Sequence, residues 1–246
     1  MISDQMIILF TDFGLEGPYI GQMKSVLYQR QPGVTIIDLF SDVPAHDTKA
    51  ASYLLAAYSG GFPPSSVFLC VIDPGVGTAR PPVIVNVDDR WYVGPDNGLF
   101  NMVARYGQQV RIWDIICPND VISATFHGRD VFAPAAAKVA SGELPDLRAG
   151  DSLQRLQCDW PDDYPAVIYI DHYGNAFTGI RAASVEKDKK IIINNQALSY
   201  ARTYNDVAEG QGFWYENANG LLEIAVNQGR AVKLLNLNIG DKVAIT

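Results

Sequence analysis

Apolar and polar positions follow two different patterns along the 246-residue chain. Up to about residue 145, short apolar runs typical of buried strands are separated by longer stretches with helical periodicity. The strand-like runs are MIILF (6–10), VTIIDL (34–39), SVFLCVI (66–72), PVIVNV (82–87) and VRIWDII (110–116). The helical stretches cover 19–33, 46–61 and about 131–141. Strands that alternate with helices predict an α/β fold with a largely parallel sheet.

The pattern changes after Gly142, because 143–165 is rich in Asp, Pro and Gly and shows little periodicity. Short strand-like runs separated by turn residues follow it, and they predict a β domain. These runs are AVIYID, KKIIIN, GFWYEN, LLEIAV and DKVAIT. We therefore predict an N-terminal α/β domain over 1–150, a linker over 151–165 and a small, barrel-like β domain over 166–246.

Composition narrows the class of protein. With 48% hydrophobic and 19% charged residues, the chain has the composition of a globular protein, and its net charge of −8 opposes binding to nucleic acid. Cys70, Cys117 and Cys158 are widely spaced, which indicates neither a disulfide framework nor a zinc site. The N-terminus has an acid at position 4 and only a five-residue apolar run, so we expect no signal peptide, no membrane partner and a cytoplasmic protein.

Three polar loops lie where strands of the predicted sheet end or its last helix begins. They are TDFG (11–14), DPGVGTAR (73–80) and FHGRD (126–130). Ligands of α/β sheets bind beyond the carboxyl ends of the strands, so these loops are the first candidates for a site.

The glycine-rich loop 73–80 raises the question of phosphate binding. It has no Lys-Ser/Thr pair, and Pro81 and Pro82 prevent a helix from following it, so neither a P-loop nor a dinucleotide fingerprint is present. From spacing alone, a turn-capping carboxylate is a better explanation of Asp73 than catalysis.

Other polar residues each have a structural and a functional interpretation. His127 has the small Gly128 beside it, which leaves its ring room to face a ligand, although most lone histidines are structural. The segment 171–175 (DHYGN) has the composition of a polar turn. Glu223 lies inside an apolar strand, where a carboxylate requires a polar partner or a ligand.

Taken together, six motifs resemble the S-adenosyl-L-methionine (SAM) hydroxide adenosyltransferases. This family of SAM hydrolases is related to the SAM-dependent fluorinases and chlorinases. The motifs are TDFG, IDPGVGTAR, GPDNGL, FHGRDVFAP, IDHYGN and LLEIAVNQG. Their order, spacing and joint presence carry the resemblance, which runs from about residue 7 to the C-terminus.

The resemblance implies that water or hydroxide attacks the ribose C5′ of SAM and releases adenosine and methionine. It implies that SAM is the substrate, with no cofactor and no metal. It also implies a homotrimer with SAM bound between the first domain of one subunit and the second domain of its neighbour.

The same resemblance supplies candidate site residues. The family's catalytic set falls on Asp73, Arg80 and His127. The halogenases carry Tyr in place of Asp73 and a residue other than His in place of His127, which favours hydrolysis over halide transfer. The substrate-binding positions fall on Asp12 for the ribose, on Asp171 (for the methionine ammonium group), Tyr173 and Asn175, and on Glu223 and the backbone around Val226 for adenosine.

Two alternatives to the hydrolase stay open on the sequence. Ala218 stands where many relatives carry a substrate-binding Ser, with Asn217 or Asn219 as candidate replacements, and this departure would suit a non-catalytic sensor of SAM or adenosine.

The second alternative is a metal-dependent hydrolase. It would use Asp12, Asp73, Asp96 and His127 as ligands, although no close pair such as HxH or HExxH is present.

Overall fold

The computed structural model describes residues 6–117, 123–149, 153–156 and 158–246. Residues 1–5, 118–122 and 150 of the predicted α/β domain and positions 151, 152 and 157 of the predicted linker therefore lie outside the described residues. The chain divides into two compact units. The first comprises Met1–Leu55 and Phe62–Cys158, and the second comprises Ala56–Gly61 and Asp159–Thr246.

A seven-stranded sheet forms the centre of the first unit. Its strands are β1 (Met6–Thr11), β2 (Thr35–Phe40), β3 (Val67–Val71), β4 (Pro82–Val87), β5 (Arg90–Pro95), β6 (Val110–Ile115) and β7 (Leu147–Ala149). The helices are α1 (Tyr19–Arg30), α2 (Thr48–Ser59), α3 (Asn101–Tyr106) and α4 (Ala133–Ala140), and a π-helical turn (Gly128–Phe132) precedes α4. The strand order is β2-β1-β3-β5-β4-β6-β7.

The α/β class is confirmed, and the sheet is parallel in one half. The pairs β1–β2, β1–β3 and β3–β5 are parallel, whereas β4–β5, β4–β6 and β6–β7 are antiparallel. The antiparallel half begins at a hairpin whose two turn residues, Asp88 and Asp89, both have positive φ angles (47° and 64°). Such a turn matches the twist of the strands that it joins, so β5 returns beside β4 without a helical crossover.

The apolar runs of the sequence become the core of this sheet. Leu9 of β1 and Leu69 of β3 are fully buried, together with Met23 and Leu27 of α1 and with Phe132 at the end of the π-helical turn. Every residue of β3 is buried, as expected for a parallel strand that is covered on both faces. The residues of these strands are covered by the core, so the polar residues in the loops after β1 and β3 are the first that can face a ligand.

The stretch 143–165 contains more structure than its composition indicates. Leu147–Ala149 forms β7 and pairs with β6, and Leu153–Leu156 forms a 3₁₀ turn. In this turn the Arg155 guanidinium donates to Asp96 (Nε to Oδ2, 2.8 Å) and to Asp114 (Nη1 to Oδ1, 2.7 Å). The strand β7 lies at the end of the predicted α/β domain (1–150) and was not predicted, because three residues are too few to show periodicity.

The second unit is antiparallel, as predicted for a β domain. Its elements are β8 (Tyr164–Ile170), β9 (Ala176–Arg181), β10 (Ile191–Ile193), β11 (Gln196–Leu198), β12 (Gly212–Glu216), β13 (Leu221–Val226), β14 (Ala244–Ile245) and the short helix α5 (Ala231–Leu234). Two sheets, β12-β13-β9-β8 and β11-β10-β14, are linked by single bridges, Tyr200–Trp214 and Ala166–Lys242. These bridges join both pairs of sheet edges, which gives the unit a barrel-like arrangement.

No helix within the described residues is long and apolar enough to cross a membrane.

Candidate functional site

The loops after β1 and β3 place two carboxylates at the same edge of the sheet. β1 and β3 are parallel neighbours in register from Ile7–Val67 to Thr11–Val71, so Asp12 and Asp73 both follow the carboxyl ends of these strands. Asn97 holds the second loop, because its Nδ2 donates to the carbonyl oxygen of Ile72 (2.9 Å), the residue before Asp73. Asn97 therefore shapes the edge of the site from within the GPDNGL motif.

Asp73, Arg80 and His127 are in direct contact, although 47 residues separate the last two along the chain. The Arg80 Nε donates to Asp73 Oδ1 at 2.8 Å, and Arg80 Nη2 donates to Asp73 Oδ2. The same Nη2 lies 3.0 Å from His127 Nδ1. The structure thus brings together the three residues to which the resemblance gives a catalytic role.

The contact with Arg80 fixes the protonation pattern of the His127 ring. A guanidinium has only donors, so Nδ1 of His127 must accept, and the ring proton then lies on Nε2. Burial lowers the pKa of His127, and the neighbouring Arg80 charge lowers it further, while Asp73 and Asp130 oppose the shift. His127 is therefore neutral at pH 7 and presents an N–H donor.

The lowered pKa of His127 has a measurable consequence. We expect the His127 ring to titrate below the ordinary value of 6.5 in histidine NMR spectra. Because the folded state binds this proton less readily than the unfolded state, the contribution of His127 to stability is present above pH 6.5 and is lost as the pH falls. A His127 titration midpoint above 6.5 would contradict the geometry.

A second ion pair supports the segment that carries His127. Arg129 Nε donates to Asp130 Oδ1 (2.6 Å), and Arg129 Nη1 donates to Gln22 of α1 (3.0 Å). Asp130 also accepts the backbone N–H of Ser123 (2.8 Å), and the hydrogen bond from Arg129 lowers the pKa of Asp130. The pair connects the π-helical turn to α1 and to the preceding loop, which restrains His127 from both sides.

Gly77 lets loop 73–80 approach this same segment. Its φ angle is +78°, and a Cβ at this position would lie 2.7 Å from the carbonyl oxygen of Ala124. We expect Gly77→Ala to lower the free energy of unfolding by about 2 kcal/mol or more, measured by denaturant titration. Gly21→Ala in α1 is the matched control: no described atom lies within 4 Å of its Cβ, and the helix should gain about 0.5–1 kcal/mol. Equal effects of the two substitutions would contradict the close approach of the loop.

A cleft of about 310 Å³ opens beside these residues in the first unit. This volume is at the lower end of the range for small-molecule sites. The lining residues are Asp12, Phe13, Tyr19, Ala45, His46, Val71, Asp73, Val76, Thr125, Phe126, His127 and Gly128. One carboxylate oxygen of Asp12 accepts the backbone N–H of His46 (3.0 Å), and the φ angle of His46 is unusual for a residue with a side chain (63°).

One wall of the cleft consists of three aromatic rings that the sequence analysis did not identify. The ring centroids of Phe13 and Tyr19 are 5.6 Å apart, and those of Phe13 and Phe126 are 5.8 Å apart. Tyr19 and Phe126 meet edge to face at 5.4 Å. Phe13 directly follows Asp12 in the sequence, and Phe126 directly precedes His127. These neighbouring aromatic residues were the sequence feature that could have identified the wall.

The second unit contains a chain of polar side chains. Asp171 Oδ1 accepts the backbone N–H of Asn175 (2.8 Å), and Asn175 Nδ2 donates to the hydroxyl of Tyr204 (3.0 Å). Tyr204 and Tyr215 share a hydroxyl contact of 3.2 Å, and Tyr215 donates to Glu223. This series of hydrogen bonds connects three of the predicted binding residues, Asp171, Asn175 and Glu223. It also includes the two tyrosines that the sequence analysis missed.

Glu223 has the polar partner that its sequence context requires. Tyr215 lies directly opposite it in the β12–β13 pairing, and Glu223 is only 3% exposed. Burial raises the pKa of Glu223, and the hydrogen bond from Tyr215 opposes this shift. Burial and the bond to Glu223 in turn raise the pKa of Tyr215, so this phenol remains a donor at neutral pH.

Tyr173 and Val226 lie outside this polar chain. The Tyr173 side chain is 73% exposed at the turn before β9. The Val226 side chain is buried in the core of the second unit, and its carbonyl oxygen accepts the N–H of Gly229 (3.2 Å). Beside Ala218, the Oδ1 of Asn217 accepts the backbone N–H groups of Asn219 (2.9 Å) and Leu221 (3.0 Å), so Asn217 shapes the turn.

The described residues contain no group of three or more His, Cys, Asp or Glu side chains arranged to hold a metal ion. Two of the four residues of the metal hypothesis are engaged by arginines, since Asp73 pairs with Arg80 and Asp96 pairs with Arg155. A guanidinium beside a carboxylate competes with a cation for its oxygens. The donor set therefore does not fit a metal centre.

Two family models match the two parts of this chain in succession. The model of the SAM hydroxide adenosyltransferase N-terminal domain matches residues 7–148, and that of the C-terminal domain matches residues 165–244. An (R)-S-adenosyl-L-methionine hydrolase of Thermus thermophilus is 37% identical over 97% of this chain and 98% of its own length. A fluorinase of an Actinoplanes species is 23% identical over 99% of this chain and 98% of its own.

A solved structure shows the same similarity in three dimensions. The crystal structure of an uncharacterized conserved protein from Thermotoga maritima superimposes with a TM-score of 0.84 at 31% identity. The superposition covers 98% of this chain and 99% of the Thermotoga chain. Sequence and fold agree over both units, and the chain belongs to the SAM hydroxide adenosyltransferase family.

Proposed function

We propose that this chain hydrolyses SAM to adenosine and methionine, with Asp73, Arg80 and His127 holding the nucleophilic water. The observation that carries the proposal is the contact of one guanidinium with both Asp73 and His127 beside the cleft of the first unit. The names of the relatives and of the family models support the choice of SAM as the substrate.

The reaction that we propose needs no cofactor. An oxygen lone pair of water forms a bond to the ribose C5′. The C5′–sulfur bond breaks, and its electron pair stays on sulfur. The sulfonium leaves as the neutral thioether of methionine, and the water loses one proton. Because the leaving group is good, the residues have mainly to position the water in line and keep other water out.

We propose a different task for each residue of the catalytic set. Asp73 lines the cleft and is the residue that can accept the proton of the water. Both of its oxygens accept from Arg80, but each keeps a second lone pair, whereas the single lone pair of His127 Nδ1 is already engaged by Arg80. The Nε2–H of His127 then donates to the oxygen nucleophile and stabilises its developing hydroxide character. Arg80, whose side chain is only 9% exposed, holds the other two residues in place.

The substrate contacts complete the proposal. We place the ribose hydroxyls at Asp12 in the cleft, the methionine ammonium group at Asp171, and adenosine at Asn175, Glu223 and the backbone of Val226. The exposed Tyr173 would cover the ligand from the same turn as Asp171.

We also propose a cytoplasmic homotrimer in which each site takes Asp73 from one subunit and Glu223 from the next, and this rests on the resemblance. Light scattering gives the mass of the assembly directly. Coexpression of Asp73→Asn and Glu223→Gln chains should recover activity that neither variant has alone, because some mixed sites contain no altered residue. No recovery in isolated mixed trimers would contradict shared sites.

The activity itself is tested by incubating the purified protein with SAM and separating the products by chromatography. Adenosine and methionine should appear in equal amounts, and the rate should be unchanged by a metal chelator. SAM that binds to folded protein and remains intact would instead favour the sensor on the same fold, whereas loss of activity with the chelator would restore the metal hypothesis.

A further inference from the structure

The aromatic wall of the cleft, formed by Phe13, Tyr19 and Phe126, has no part in the reaction as described so far. Two of its rings retain accessible surface: Tyr19 is 49% exposed, Phe13 is half-buried, and both line the cleft. Their rings are tilted by 48° with centroids 5.6 Å apart, so they form a corner rather than a stack. A corner of this kind can contact one small group with two rings.

The third ring already binds a cation of the protein. The Arg129 Cζ lies 5.3 Å from the centroid of Phe126, within the range of a cation–π contact. Arg129 is in turn paired with Asp130, so its position over Phe126 is fixed. Phe126 is therefore occupied on that face, and Phe13 and Tyr19 are the rings left for a ligand.

The two carboxylates that line the cleft have other partners in the proposed site, which are Arg80 for Asp73 and the ribose hydroxyls for Asp12. Asp73 is paired with Arg80, and Asp12 accepts a backbone N–H at the other loop. An unpaired carboxylate beside an activated C5′ would itself be an oxygen nucleophile. An aromatic ring attracts a cation through its negative face but has no lone pair with which to attack carbon.

We propose that Phe13 and Tyr19 bind the sulfonium group of SAM by cation–π contact and thereby select SAM over its neutral thioether analogue, S-adenosylhomocysteine. The proposal rests on the proposed function, because it takes SAM as the ligand of this cleft. It assigns a specificity role to two residues outside the catalytic set.

The charge on sulfur disappears during the reaction, which sets the kinetic signature. The rings stabilise bound SAM fully and the transition state only in part, and they have no such attraction for the thioether of methionine. Loss of the contact should raise KM for SAM without lowering kcat. A residue that merely positioned C5′ would instead lower kcat.

The test compares KM and kcat for SAM with the inhibition constant of S-adenosylhomocysteine. For Tyr19→Leu we expect KM for SAM to rise roughly 3- to 30-fold, with unchanged or higher kcat and an inhibition constant that changes by less than about twofold. The control is Tyr28→Leu, since Tyr28 lies on the same helix with the same 49% exposure and does not line the cleft. It should leave all three constants unchanged.

Fluorinated phenylalanines at position 13 separate charge from shape. Each added fluorine weakens the negative face of the ring at nearly constant volume, so KM for SAM should rise stepwise along the series. A KM for SAM that stays constant across the series would overturn the proposal. So would a Tyr19→Leu substitution that raises KM for SAM and the inhibition constant of S-adenosylhomocysteine by the same factor. If the wild-type protein made no adenosine, the proposed function would fail separately, and calorimetric dissociation constants for the two ligands would decide the same comparison.

Discussion

Asp73→Asn should lower kcat for SAM cleavage by roughly 10²- to 10⁴-fold while the dissociation constant for SAM changes by less than about threefold. Asparagine keeps the shape of the side chain but cannot take the proton of the attacking water. In the wild-type protein both oxygens of Asp73 face Arg80, and the carboxylate still lines the cleft. Quenched-flow measurement of adenosine gives kcat, and calorimetry gives the dissociation constant.

The stability of this variant must be separated from its chemistry, because Asp73 and Arg80 are only 5% and 9% exposed. Removing one partner of such a pair costs about 3–5 kcal/mol, whereas replacing both costs far less. The double variant Asp73→Leu/Arg80→Met should therefore be more stable than Asp73→Asn and equally inactive. Asp38→Asn, which removes an exposed carboxylate paired with Lys24, is the control that should retain full activity. A kcat of the double variant well above that of Asp73→Asn would contradict the role of the set.

His127→Ala should lower kcat by roughly 10²- to 10³-fold, because the nucleophile loses one hydrogen-bond donor in the cleft. His127→Gln should retain more activity than His127→Ala. A glutamine can accept from Arg80 with its oxygen and donate to the nucleophile with its nitrogen, as the neutral histidine does. The exposed His172, whose substitution by Ala should have no effect, is the control.

The two His127 variants distinguish a donor from a base. If His127 removed the proton of the water, glutamine could not replace it, and both variants would be equally inactive. Equal loss of activity in the two variants would therefore contradict the assignment of the proton to Nε2.

The parts of the fold that follow from periodicity were predictable. The parallel strands β1, β2 and β3 and their helices follow directly from the apolar runs. The strand β5 was missed because Gly94 and Pro95 look like turn residues, although Gly94 is required where a Cβ would lie 2.3 Å from the Cys70 carbonyl oxygen. The helix α3 and the strand β7 were missed because six and three residues are too few for a pattern.

The site residues that lie in sequence motifs of the loops were predictable. Contacts that depend on how two strands pair were not. The resemblance named Asp73, Arg80 and His127, and the structure brings them into contact. The bond between Tyr215 and Glu223 depends on the register of β12 with β13, which no local pattern specifies. The aromatic wall was missed for a similar reason, since the sequence does not say which side of a loop faces a cleft.

The central claim is that water, held by Asp73, Arg80 and His127, attacks C5′ of SAM directly. A single turnover in water labelled with heavy oxygen, with the protein in excess over SAM, tests it most directly. Direct attack predicts that the 5′ oxygen of adenosine carries the label in the first turnover and that methionine carries none. Unlabelled adenosine in that turnover would show that the oxygen came from a protein carboxylate such as Asp73, and it would contradict the mechanism.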